Sequence, residues 1–218
     1  MNDALDAPTQ QSPADLAALL AARLCHDFIS PASAIVSGLD LLEDPTAQDM
    51  REDAMGLINA SARKLVDLLQ FSRVAFGASA AAESFDSRDL EALAQGVYAH
   101  VRPELEWTAD APQVNKPAAR ALLNLAQIAA GALPTGGKAK IRVMLVDNRY
   151  VITVDASGAR ARLRPEVVAG LKGDPLGDGI GGQWIQAAYL HNLVKACGGQ
   201  VAAETAEERV TLAAWVPA

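Results

Sequence analysis

The sequence predicts an α+β chain: an N-terminal antiparallel helical hairpin that forms a dimeric four-helix bundle, followed by a C-terminal two-layer α/β sandwich of mostly antiparallel strands. Three observations lead there. Two long apolar stripes at helical spacing are separated by a very short break, a stretch of small residues follows, and beyond it helical patterns alternate with runs rich in Val, Ile and Thr.

Residues 1–11 are polar, and Ser12-Pro13 supplies a cap and a first-turn proline, so 1–12 is expected to be a disordered tail. From 16 to 42, Leu16, Leu20, Leu24, Phe28, Pro31, Ile35, Leu39 and Leu42 step by three or four, the mark of one amphipathic helix. Asp44-Pro45 ends it, and Thr46 is placed to cap the next. A second helix over about 48–76 carries Ala54, Leu57, Ile58, Ser61, Leu65, Leu68, Leu69 and Ser72 inward. Two helices alone cannot bury both stripes together with Leu19, Ile29, Val36 and Leu41, so the hairpin (13–77) is expected to pair with a second copy.

GASAAAES, ending at Ser84, reads as a linker over 78–84. In the remaining 85–218, helices are expected over 89–100, 117–133 and 183–197. Strands are expected over 140–146 and 150–154, on either side of Asp147-Asn148-Arg149, and over 200–204 and 209–216.

Bulk properties narrow the function. The 218 residues, half of them apolar, suffice for one large core or two modest ones. A formal charge of −7 repels phosphate backbones and anionic lipid, so neither nucleic acid nor a membrane is expected as partner. Cys25 and Cys197 make no disulfide framework, and the three histidines are too scattered for zinc. There is no signal-peptide pattern, and no window approaches the roughly 18 apolar residues of a membrane span. A soluble, cytoplasmic protein is expected.

His26 lies two residues from both Leu24 and Phe28, which turns it away from the apolar stripe. A plain surface histidine would look the same, but its neighbours add information. Asp27 follows, Ser30 lies one turn on, and Pro31 occupies a helix interior at a cost of roughly 3 kcal/mol, which argues for a kink kept for a reason. An exposed imidazole beside a carboxylate is a nucleophile with an orienting acid. HDFISP resembles the phosphoacceptor H-box of two-component signalling proteins, position for position. The resemblance makes His26 the nucleophile and Asp27 its acid, with Ser30 and Pro31 in support. A cysteine-protease reading of Cys25 fails, because adjacent helical side chains diverge by about 100° and no third orienting group is present. His100 and His191 sit in no motif and are assigned no chemistry.

Asn124-Leu125, in the helix after Pro117, resembles the start of the N-box of the GHKL ATPases. Ile128 stands where that motif needs a second asparagine for Mg²⁺, and hydrocarbon offers a hard cation no oxygen. VDASG at Asp155 resembles a G1 box with altered glycine spacing, and GDGIGG, from Gly177 to Gly182, a G2 box. The sandwich is thus expected to be a degenerate domain of Bergerat (GHKL) type that binds neither ATP nor any cofactor of its own.

Together these segments resemble the ChpT family of histidine phosphotransferases. That implies a homodimer that accepts phosphate from the receiver domain of a CckA-type hybrid kinase and passes it to CtrA-type and CpdR-type response regulators, with Mg²⁺ supplied by the receiver. Arg23, Ile29 and Ser33, within a turn of His26, are expected to touch the receiver. Arg160, Arg162 and Arg164 alternate, so an extended segment would aim all three one way, as a second contact patch or a solvated strand. Two other functions remain open: an ATP-dependent histidine kinase, and a non-enzymatic scaffold or anti-kinase.

Overall fold

The computed structural model describes residues 12–77, 82–174 and 184–218. The N-terminal tail, most of the 78–84 stretch and the GDGIGG segment lie outside the described residues.

Helix α1 (Pro13–Glu43) begins as its chemistry dictates. Ser12 Oγ accepts from the Asp15 amide at 3.1 Å, while the Asp15 carboxylate reaches back to the Ser12 amide. The helix continues through Pro31 and ends at Asp44. Thr46 is not a helix cap: its N–H and hydroxyl both donate to Asp44 Oδ1, closing the turn on itself and holding that carboxyl below its usual range. After a 3₁₀ turn at Gln48–Met50 comes α2 (Arg51–Ala75), packed along α1. At the seam a Cβ on Gly38 would lie 2.6 Å from Ile58 Cγ1 and 3.2 Å from the Ala54 carbonyl, so only glycine allows this approach. Leu39, Leu57 and Leu69, assigned above to inward stripes, are exposed, because the α1/α2 seam is narrower than either stripe.

α1 is long and apolar enough, by length and composition, to cross a membrane, which corrects the expectation that no window approaches one.

The chain leaves α2 through Gly77 at φ +87, where a Cβ would strike the Arg120 guanidinium. Then follow β1 (Ser84–Asp86), α3 (Ser87–Tyr98), β2 (Glu104–Ala109), β3 (Gln113–Asn115), α4 (Lys116–Ala132), β4 (Lys138–Val146), β5 (Arg149–Ser157), α5 (Pro165–Lys172), α6 (Ile185–Ala196), β6 (Gln200–Ala206) and β7 (Arg209–Pro217). The large sheet runs β2-β4-β5-β7-β6, antiparallel except for the β2/β4 pair, and β1 pairs with β3 apart from it. Asp147 and Asn148, both at positive φ, make the two-residue turn between β4 and β5.

Alternation along the strands builds the core. Ala139, Ile141 and Val143 of β4, Ile152, Val154 and Ala156 of β5, and Val210, Leu212 and Val216 of β7 are buried beneath α4. The opposite face is polar and laced by ion pairs: Lys138 and Lys140 to Glu106, and Arg142 to Asp110. The same core takes in Phe71, Val74 and Ala75 from the end of α2, so hairpin and sandwich share one interior. Tyr98 donates its hydroxyl to the Ala126 carbonyl at 2.8 Å there, and burial pushes its phenol well above the ordinary range.

Candidate functional site

His26 lies midway along α1, one turn before Pro31, with 72% of its side chain exposed. Pro31 has no N–H to close on the Asp27 carbonyl, so the helix ladder is interrupted beside the histidine. Nδ1 of His26 is 3.4 Å from Asp27 Oδ1, and Asp27 Oδ2 accepts from Arg23 Nε at 3.3 Å. The tautomer with its proton on Nδ1 therefore donates toward Asp27 and leaves Nε2 as a bare lone pair. Arg23 does not point outward as expected. Its side chain is only 15% exposed: it pairs with Asp27 one turn on and lines the grooves against α4. Ile29, at 63% exposure, and Ser33 do face solvent.

The helices α3 and α4 approach this stretch of the hairpin and leave a groove of about 400 Å³. Arg23, His26, Asp27 and Ser30 of α1 line one wall, and Lys64 and Leu68 of α2 continue it. Val97, His100 and Val101 close one end, while Gln127, Ala130 and Gly131 of α4 form the far side. His100 Nε2 is 2.7 Å from Asp67 Oδ2, which ties the end of α3 to α2. No sequence motif pointed to His100 or Lys64, since the groove joins segments distant along the chain.

A second groove, of about 290 Å³, shares Arg23, Asp27 and Gln127 with the first and runs on to Arg162, Arg164 and Trp184. The three alternating arginines are not one extended strand. Arg160 takes a left-handed conformation (φ +64) in the turn closed by the Ala161 N–H on the Gly158 carbonyl, so it departs from the other two. The Arg162 N–H bonds the Ala132 carbonyl, and Arg164, just before α5, lies over the Trp184 ring at 4.9 Å. The structure thus brings Arg162 and Arg164 near Arg23 and Asp27 and leaves Arg160 off both grooves.

The nucleotide-box remnants have other occupations. Asn124 is fully buried: its Nδ2 donates to the carbonyls of Ala75 and Arg120, and its Oδ1 accepts from Gln186 Nε2. Nothing of its amide is left for a metal. Ile128, one turn on, is buried hydrocarbon. Asp155 lies within β5 and its carboxylate is held by Arg209 of β7. These residues do not fit a Mg-nucleotide, and among the described residues no cluster of His, Cys, Asp or Glu could hold a metal ion.

Residues 87–209, more than half of the chain, match the family model for the histidine phosphotransferase C-terminal domain. The chain belongs to the histidine phosphotransferase family. A curated relative, protein phosphotransferase ChpT of Brucella abortus (strain 2308), is 35% identical over 210 residues, covering 95% of this chain and 98% of the relative. A solved structure of a bacterial phosphotransferase aligns with a TM-score of 0.85 at 33% identity, covering 95% of this chain and 98% of that one. The catalytic domain of the histidine kinase ThkA aligns over 62% of this chain and 93% of that one at 19% identity, with a TM-score of 0.47. This histidine phosphotransferase is thus of the ChpT type, a phosphotransferase of two-component signalling with a long helical region followed by a sheet domain.

Proposed function

We propose that His26 relays a phosphoryl group between receiver-domain aspartates: it accepts from a CckA-type hybrid histidine kinase and gives to CtrA-type and CpdR-type response regulators, without ATP. The observation that carries this reading is the exposed imidazole at a groove, with Asp27 beside Nδ1. Nε2 attacks the phosphorus of an aspartyl phosphate, the N–P bond forms as the P–O bond breaks, and the carboxylate leaves with the electron pair. Asp27 faces the ring as it gains positive charge, and Arg23 fixes that carboxylate in place. The receiver supplies the Mg²⁺ that neutralises the transferring group; this chain supplies position. Independence from ATP, and with it the lack of autokinase activity, is supported by Asn124, Ile128 and Asp155, whose polar groups are spent elsewhere or missing.

The receiver docks on Ile29 and Ser33 and reaches across to Arg162 and Arg164, whose charge draws an acidic partner. Arg23 contributes by holding Asp27, and Arg160 lies on the outer margin of the patch. The active form is a cytoplasmic homodimer: Val36, Leu39, Met55, Leu57, Val66 and Leu69 leave an apolar face along both hairpin helices that a second hairpin covers.

The test is to incubate the protein with a receiver domain charged from radiolabelled acetyl phosphate and follow acid-labile label. The wild type should take up label and His26→Ala should lose it by more than a hundredfold. Undiminished labelling of His26→Ala, or a variant that signals normally without carrying phosphate, would overturn the relay and favour a scaffold.

A further inference from the structure

Besides His26, three nitrogen-bearing basic side chains line the groove, and two have carboxylate partners. Arg23 is bonded to Asp27 and His100 to Asp67. Among the described residues no carboxylate lies within ion-pair distance of the third, Lys64, although the chain carries a net charge of −7. Lys64 is half-buried and shares its wall with Leu68 and, across the groove, Val97 and Ala130. An ammonium group with apolar neighbours and no counter-ion favours an arriving anion, because poor local screening strengthens the attraction.

Its place along the hairpin fits the same role. Gly38 packs on Ala54 and Ile58. Moving eight residues back along α1 to Ser30 corresponds to moving eight forward along antiparallel α2, to the stretch 62–66. Lys64 is at its centre. Ser30 and Lys64 therefore stand opposite each other across the α1/α2 seam, one helical turn from His26, and both line the groove.

We infer that Lys64, with the Ser30 hydroxyl, forms a phosphoryl-binding pair that receives the oxygens of the group carried on His26; this rests on His26 being the acceptor. Lys64 gives up no proton. It lowers the energy of the doubly charged phosphoryl group as the receiver's carboxylate departs, while Ser30 donates one hydrogen bond to a phosphoryl oxygen. Arg23 cannot substitute, because its guanidinium is held on Asp27.

The experiment measures label transfer from the charged receiver to wild type, Lys64→Met, Lys64→Glu, Lys64→Arg and Ser30→Ala, with His26→Ala as reference. Lys64→Met should slow transfer at least tenfold and flatten its salt dependence, Lys64→Glu should slow it further, and Ser30→Ala should slow it a few-fold. Lys64→Arg, which keeps the charge, should restore most of the rate; a merely structural lysine would give neither the charge ranking nor the salt effect. Transfer to Lys64→Met within twofold of wild type, while His26→Ala takes no label, would overturn the inference alone. Label persisting on His26→Ala would instead remove the reading beneath it.

Discussion

A buried amide shows how one residue can keep a motif's appearance while doing different work. Asn124 uses both Nδ2 hydrogens and its oxygen on Ala75, Arg120 and Gln186, joining α2, α4 and α6 at a point without solvent. Asn124→Leu should therefore cost stability before it costs chemistry. It leaves the Ala75 carbonyl and the Gln186 amide short of partners, at about 1–3 kcal/mol for each such group. Urea denaturation should show a loss of about 2–6 kcal/mol on that basis, and a change below 0.5 kcal/mol would refute the assignment. The neighbouring Arg120 adds to this knot: it donates to the Phe76 carbonyl and to the Tyr189 hydroxyl, whose phenol burial pushes up against the opposing pull of the guanidinium.

Among the elements, the hairpin seam depends on small residues at chosen places. Gly38 and Gly56 both look like weak points of a helix, yet their surroundings differ. A Cβ at Gly38 meets Ile58 and the Ala54 carbonyl, whereas one at Gly56 meets nothing within 4 Å. Gly38→Val should thus destabilise the hairpin by about 1–3 kcal/mol through overpacking. Gly56→Ala should stabilise it by about 0.5–1 kcal/mol through helix propensity alone. Thermal melts of the two variants should move in opposite directions, and a shared direction would refute the seam as described. Which parts of the fold were readable follows from the same distinction. Ser12-Pro13 and Asp44-Pro45 mark the ends of α1 by local chemistry, and Asp147-Asn148 marks a hairpin turn, so those boundaries fell within a residue or two. Strand β2 escaped notice because its neighbour β4 runs parallel to it and is reached only through β3 and α4, with no tight turn to announce the pairing. His26 was legible because its neighbours lie in sequence. Lys64 and His100 were not, because the groove that unites them with it exists only after folding.

Across the whole molecule, the apolar residues left uncovered are what support the proposed dimer. Leu39 and Leu69 are nearly half exposed in one protomer, on the face assigned to a second hairpin. Burying a leucine is worth about 1.5–3 kcal/mol, and a substitution acts in both protomers. Leu39→Glu with Leu69→Glu should therefore weaken the dimer at least a hundredfold, roughly 3 kcal/mol. Light scattering should find a monomer at micromolar concentration, and an intact dimer would place the interface elsewhere. The end of α2 makes the opposite kind of contact. Phe71, Val74 and Ala75 are sealed into the sandwich, Asn124 grips the Ala75 carbonyl, and Asp67 is bonded to His100. Stem and head cannot swing apart without opening that common interior to water, so the aperture beside the imidazole is cast before any visitor arrives. Capture should then run at the pace of diffusion and ionic strength, with no waiting step for a hinge.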